Sequence, residues 1–109
     1  MRKNLTEVFY SDILILEYEN RMKTEEITEF LKALGHPTRL MIVEELLREE
    51  KCVNDITELL NVRQPNISQH LYILKASNIV DCKREGKMKC YFLQKPELIK
   101  NLVEILRGK

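Results

Sequence analysis

The sequence predicts a mostly α-helical domain carrying one small β-hairpin, and three observations support this. Gly and Pro number three each in 109 residues, and the rest is rich in Leu, Ile, Glu and Lys, the composition of helices joined by short turns. Apolar residues recur at three- and four-residue spacing through most of the chain. Only near residues 79–93 does the pattern change, to Ile, Val, Cys, Tyr and Phe interrupted by Glu85-Gly86. A chain of this length, 44% hydrophobic, is the size of one domain, here residues 1–109, and has the material for a core.

The elements follow in order. Asn4, with Glu7 three residues on, opens an N-terminal helix over 5–22 whose Leu5, Val8, Phe9, Ile13 and Leu16 share a stripe. Thr24 caps a second helix with Ile27, Phe30, Leu31 and Leu34 on its apolar face, and Gly35 ends it. Pro37 opens a third, at the position where a missing N–H costs nothing, and Leu40, Val43, Leu46 and Leu47 form its buried stripe. Lys51-Cys52-Val53 reads as a stub of strand, after which Asn54 or Asp55 caps a compact helix with Ile56, Leu59 and Leu60.

Asn61-Val62-Arg63-Gln64 is a tight connection to a helix started by Pro65 and capped by Gln64, with Ile67, Leu71 and Leu74 on one side. Asn78 ends it in the left-handed conformation that Asn tolerates. Residues 79–84 and 87–93 form the hairpin. Pro96 opens a last helix, 96–107, whose Leu98, Leu102, Ile105 and Leu106 make an apolar stripe.

Net charge is +1, but its distribution is uneven. Residues 1–62 hold 8 Lys/Arg against 13 Asp/Glu, whereas residues 63–91 hold six cations against Asp81 and Glu85 alone. A local positive field of this kind suits a polyanion on an otherwise neutral protein. The longest aliphatic run, Ile13-Leu14-Ile15-Leu16, falls short of the ~20 residues that span a bilayer. Glu7 and Asp12 interrupt any signal-peptide core, so a cytoplasmic protein is expected, with Cys52, Cys82 and Cys90 as thiols. No nucleophile, base and orienting group stand at meaningful spacing and no Gly-rich phosphate loop occurs, so an enzyme is not expected.

Helix, tight turn, helix over 54–78, followed by a basic hairpin over 79–93, is the order of a winged helix-turn-helix. One helix enters the major groove, a second braces it, and the hairpin reaches the neighbouring backbone or minor groove. Opposite Ile67, Leu71 and Leu74 lie Pro65, Gln69, Tyr72 and Ala76, flanked by Asn66 and Ser68. Gln and Asn bond adenine edges in bidentate fashion and Ser is a short donor, so Gln64, Asn66, Ser68 and Gln69 are the candidate base readers, with Tyr72 beside them. Arg63, Arg84 and Lys87 are the candidate phosphate or minor-groove contacts. His70 belongs to the same candidate set, but its projection lies nearer the buried stripe, which favours a structural or phosphate-bonding role. His36, before Pro37, reads as a helix-start residue.

Ala33-Leu34-Gly35-His36-Pro37-Thr38-Arg39-Leu40, then Gln64-Pro65-Asn66-Ile67-Ser68-Gln69-His70-Leu71 with Leu74, then Ile79-Val80 and Arg84-Glu85-Gly86-Lys87, resembles the ArsR/SmtB family of bacterial and archaeal repressors over about residues 25–93. The resemblance implies a homodimer joined through its first and last helices, bound to an inverted-repeat DNA operator as a repressor and released by a chemical signal. The usual Gly before the wing is Asn78 here. A non-sensing winged-helix protein-interaction module is the alternative.

The family's thiol site lies around Cys-Val-Cys-Asp, where this chain has Cys52-Val53-Asn54-Asp55 and so lacks the second thiol. The family's zinc-type site uses Asp and His on the last helix, and 96–109 contains no His. A soft metal or metalloid bound by Cys52, Cys82 and Cys90 therefore stands as one reading and a thiol oxidation sensor as another, beside buried inert thiols. A two-residue Glu85-Gly86 loop pairs Cys82 with Lys89 and Cys90 with Asp81; a three-residue loop pairs Val80 with Cys90 and Cys82 with Met88. Neither register opposes Cys82 to Cys90. If Cys52 lies on a strand stub beside residues 90–92, Cys52 and Cys90 are the better pair.

Overall fold

The computed structural model describes residues 22–108. The helix expected over 5–22 lies outside them except for Met22, which packs against the core. The described chain runs α1 (Thr24–Leu34), α2 (Pro37–Arg48), β1 (Lys51–Cys52), α3 (Val53–Leu60), α4 (Gln64–Ala76), β2 (Val80–Glu85), β3 (Met88–Leu93) and α5 (Pro96–Arg107). The strands form one antiparallel sheet in the order β1-β3-β2. This is a winged helix-turn-helix, with α3 and α4 as the paired helices and β2-β3 as the wing.

Packing explains the order. Ile67, Leu71 and Leu74 fall on one side of α4 and are fully buried, each worth about 1.5–3 kcal/mol. They meet Ile42 and Val43 of α2, Ile56 of α3 and Ile79 and Val80 at the start of the wing, in one continuous core. Ile42 belongs to that core where the α2 stripe suggested Leu40 and Leu47, both only half-buried. On α5 the buried anchor is Ile99, with Leu102 and Val103 partly covered. Leu98, Ile105 and Leu106 point outward, because α5 is apolar on two sides and this protomer's core uses only one.

Helix ends shift by a residue or two from the expected caps. Lys23, not Thr24, is the N-cap of α1, since Glu26 accepts the Lys23 N–H at 3.0 Å. Gly35 follows the helix with φ −77, so the left-handed freedom of glycine is unused. Its role is steric, because a Cβ there would lie 3.2 Å from the Leu31 carbonyl oxygen. Cys52, not Asn54 or Asp55, caps α3, and Asp55 reaches back from the third helical position to accept the Cys52 N–H at 3.3 Å. Arg63 rather than Gln64 caps α4, which places Pro65 in its first turn. His36 caps α2 as expected, its Nδ1 accepting the Thr38 N–H at 3.1 Å.

The wing register differs from both expected ones. Glu85 pairs with Met88, which makes Gly86-Lys87 the two-residue loop and places Lys83 opposite Cys90 and Cys82 opposite Tyr91. Gly86 carries φ 65, so the glycine supplies the first loop residue as tight hairpins require. Asn78 also has φ 61, the left-handed turn between α4 and the wing. Asn78→Gly is therefore expected to keep or raise the melting temperature. Asn78→Val, a branched side chain in that conformation, should cost about 1–2 kcal/mol in thermal unfolding.

Candidate nucleic-acid interface

The sequence places an amide- and hydroxyl-bearing stripe on α4, and the fold sets it across from the wing. Gln64, Ser68 and Tyr72, one turn apart, form one wall of a groove of about 990 Å³. Arg84, Lys87 and Lys89 form the opposite wall, and Cys52 and Asn54 lie in its lining where α3 begins. Tyr72 is 69% exposed, so its ring lies open to a ligand. Arg63, Asn66 and Gln69 are exposed on α4 and its entry turn but lie outside the groove lining, on the helix surface beside it.

Electrostatics single out the groove. Its lining includes Lys75, Arg84, Lys87 and Lys89, and no carboxylate among the described residues. Across the wing, Arg84 stands directly opposite Lys89, and both are exposed. Like charges facing each other across a ladder destabilise a hairpin, and an anion lying between them relieves the repulsion. Lys83, by contrast, is occupied. It bonds Glu50 at 3.1 Å and Glu85 at 3.5 Å, and the Glu50 hydrogen bond, followed by that carboxylate's charge, holds its pKa above the usual lysine value. Lys83 thereby neutralises the wing's only acid near its tip.

Lys75 and Lys89 were not among the residues singled out from sequence. Lys75 follows Gln64, Ser68 and Tyr72 around the same side of α4, and that spacing was the available signal. Lys89 depended on a wing register that the loop residues misassigned.

His70 turns away from the groove. Its Nδ1 lies 3.3 Å from Arg39 Nη1, and its ring centroid is 4.6 Å from that of His36. Arg39 also donates from Nε to the Ala33 carbonyl at 2.6 Å, so it ties the α1–α2 junction to α4. An arginine donates only, so His70 accepts and is held neutral on that nitrogen. Burial first, then His36 and Arg39, push its pKa below 6.5. As pH falls through the ordinary histidine value, the unfolded chain takes up a proton that the folded one refuses. The stability this group contributes is thus full at neutral pH and lost on acidification. The drop in melting temperature from pH 7.5 to 5.5 should therefore shrink in a His70→Gln variant.

Cys52 and Cys90 face each other across the β1–β3 ladder and are joined by a disulfide, 38 residues apart in sequence. The strand stub that this pairing needs is present. Cys82 is a free thiol on the other face of the wing, half-buried against the core beside Tyr91. Burial, and then the Cys82 sulfur, raise the pKa of the Tyr91 phenol. The three cysteines therefore separate into a pair and a single thiol. No cluster of three or more His, Cys, Asp or Glu side chains fit to hold a metal occurs among the described residues. The pair alone falls short of the three or four ligands of a closed thiolate site. Among the described residues, no helix is long and apolar enough to cross a membrane.

Comparison with known proteins places this geometry. Residues 36–81 match the family described as bacterial regulatory protein, arsR family. The HTH-type transcriptional repressor SmtB of Mycobacterium tuberculosis (strain CDC 1551 / Oshkosh) is 43% identical over 65 residues, covering 60% of this chain and 48% of that protein. The chain thus spans about half the length of that relative. The crystal structure of the transcriptional repressor BigR from Xylella fastidiosa superposes with a TM-score of 0.65 at 34% identity, covering 82% of this chain and 92% of that one. A homodimeric winged helix-turn-helix DNA-binding domain from Mycobacterium bovis, described as a possible ArsR-family transcriptional regulator, gives a TM-score of 0.71 at 25% identity over 76% of this chain and 79% of its own.

Proposed function

The chain belongs to the arsR family of bacterial regulatory proteins, and from that premise we propose that it is a homodimeric transcriptional repressor which binds an inverted-repeat operator and whose grip on DNA is set by the Cys52–Cys90 thiol pair. Its relatives are transcriptional regulators rather than enzymes. The observation that carries the proposal is the facing of the polar α4 stripe and the cationic wing across one groove.

In this reading α4 enters the major groove. Gln64, Asn66, Ser68 and Gln69 contact base edges and Tyr72 packs on them. Arg63, Lys75, Arg84, Lys87 and Lys89 meet phosphate or the minor groove. His70 positions α4 through Arg39 and His36 rather than touching DNA. Two protomers present their α4 helices to successive major grooves about 34 Å apart, hence the inverted repeat. The outward Leu98, Ile105 and Leu106 of α5 and the exposed Ile27 and Leu31 of α1 supply apolar surface for the dimer interface, consistent with the homodimeric Mycobacterium bovis domain. The setting is the cytoplasm, where the pair is reduced until a thiol-reactive signal arrives.

The sensing role rests on position. Cys52 starts α3, the brace of the recognition helix, and Cys90 lies on the wing's central strand. A bond between them fixes wing to brace; its absence frees the wing to settle on the duplex or leave it. Fluorescence anisotropy with an inverted repeat from the protein's own promoter tests this. Reduced and oxidised protein should differ at least tenfold in affinity for that repeat, and the reduced form should bind random duplex far more weakly. Equal affinity in both redox states would remove the sensing role, and equal affinity for random duplex would remove the operator.

A further inference from the structure

We infer that Cys52 is the point of attack of the redox pair, reacting first with a small two-electron oxidant of the hydroperoxide class, and that Cys90 is the resolving thiol; this rests on the reading of the pair as a sensor. Three observations separate the two sulfurs. Cys52 is partly exposed and belongs to the lining of the α4–wing groove, whereas Cys90 is 3% exposed and absent from that lining. Of the two residues, Cys52 is the one that solvent and a small reagent reach. The groove whose rim includes Cys52 is lined by Lys75, Arg84, Lys87 and Lys89 and by no carboxylate among the described residues, a field that draws anions and polar oxidants toward it.

Cys52 also occupies the N-cap of α3, an eight-residue helix whose first-turn N–H groups favour negative charge at that end. Asp55, the one acid in that first turn, accepts the Cys52 N–H and so sets a negative charge beside Cys52 that works against this preference, which leaves accessibility as the main distinction between the two sulfurs. Cys90 has no helix end of its own. It lies on the central strand, opposite Cys52 on one side and Lys83 on the other, and Lys83 is already neutralised by Glu50 and Glu85.

The chemistry balances in two steps. The Cys52 thiolate attacks the terminal oxygen of the hydroperoxide. The S–O bond forms, the O–O bond breaks, and the alkoxide or hydroxide leaves with the electron pair and takes a proton from water. Sulfur is oxidised by two electrons to a sulfenic acid as the peroxide is reduced by two. The Cys90 sulfur, already opposite Cys52 in the ladder, then attacks it. The S–S bond forms, the S–O bond breaks, and hydroxide leaves with the Cys90 proton as water. No large movement is needed for the second step, because the two residues are cross-strand partners.

Pulsed labelling on the reduced protein tests the order. In a Cys82→Ser background, brief exposure to stoichiometric hydrogen peroxide with dimedone present should leave one adduct on Cys52 in the Cys90→Ala variant. The adduct on Cys90 in the Cys52→Ala variant should form at least tenfold more slowly. Because Cys90 is buried and its substitution alters the packing around it, the same order is also read without substitution at either site, by a short iodoacetamide pulse on the reduced wild-type protein followed by peptide mapping. Cys52 labelled ahead of Cys90 supports the assignment; Cys90 first, the two together, or neither reacting with peroxide would overturn it. Failure of the sensor reading looks different. There, oxidised and reduced protein bind the operator equally while the labelling order is unchanged.

Discussion

Replacing Gln64, Asn66, Ser68 and Gln69 together by alanine is expected to abolish discrimination between operator and random duplex while leaving the fold intact. Each good bidentate amide–base contact is worth about 1–3 kcal/mol of discrimination, and a homodimer uses every contact twice. Specific binding in such proteins exceeds non-specific binding by roughly 10³–10⁷-fold, so a loss of about 10³-fold or more in operator affinity is the expected scale. All four side chains are exposed and none belongs to the core, and alanine favours helix, so the melting temperature should hold or rise. Anisotropy titrations on operator and scrambled duplex, with circular dichroism on the same samples, read both effects.

On the opposite side of the same helix the expectation inverts. Leu71→Ala removes a fully buried side chain at the centre of the cluster joining α4 to the rest of the core. A cavity there should cost about 2–5 kcal/mol, against a total stability of about 5–15 kcal/mol for a domain. At roughly 4–8 °C per kcal/mol, the midpoint should fall by about 10 °C or more in a calorimetric scan. Its neighbour Tyr72 is 69% exposed, and Tyr72→Ala should weaken DNA binding with little change in the midpoint. Adjacent residues on one helix would then separate stability from recognition.

The sequence carried the helical frame because its signals were local and redundant. Pro37, Pro65 and Pro96 each lie in a first turn, and Ile67, Leu71 and Leu74 hold the α4 spacing that burial confirms. The polar stripe of α4 and the cationic wing were legible for the same reason. Where two residues competed for one role, sequence alone did not decide between them. Glu85-Gly86 and Gly86-Lys87 are both acceptable two-residue loops, and only the pairing of Val80 with Leu93 at the base of the wing selects the second. Moving the loop by one residue moves each cross-strand partner by two, which sets Cys82 opposite Tyr91 and Lys89 opposite Arg84.

Cap assignments failed through a similar competition. Asp55 does stabilise the start of α3, but from the third helical position, which leaves the cap itself to Cys52. The Arg39–His70–His36 contact joins residues 31 positions and more apart, a relation that local pattern does not encode. The apolar stripe expected on α5 splits between Leu102, which packs against the core, and Leu98, Ile105 and Leu106, which are exposed, because spacing alone does not tell which apolar side of a helix meets its own core.

The sharpest test is the salt dependence of operator binding in an Arg84→Ala/Lys87→Ala protein compared with wild type. Each phosphate neutralised contributes about −0.9 to the slope of log affinity against log salt concentration, so losing two wing cations per protomer should flatten the dimer's slope by roughly 3 to 4. Operator and random duplex should weaken alike. A slope identical to wild type would mean that the wing does not touch the DNA backbone, and the α4–wing groove would not be the nucleic-acid interface.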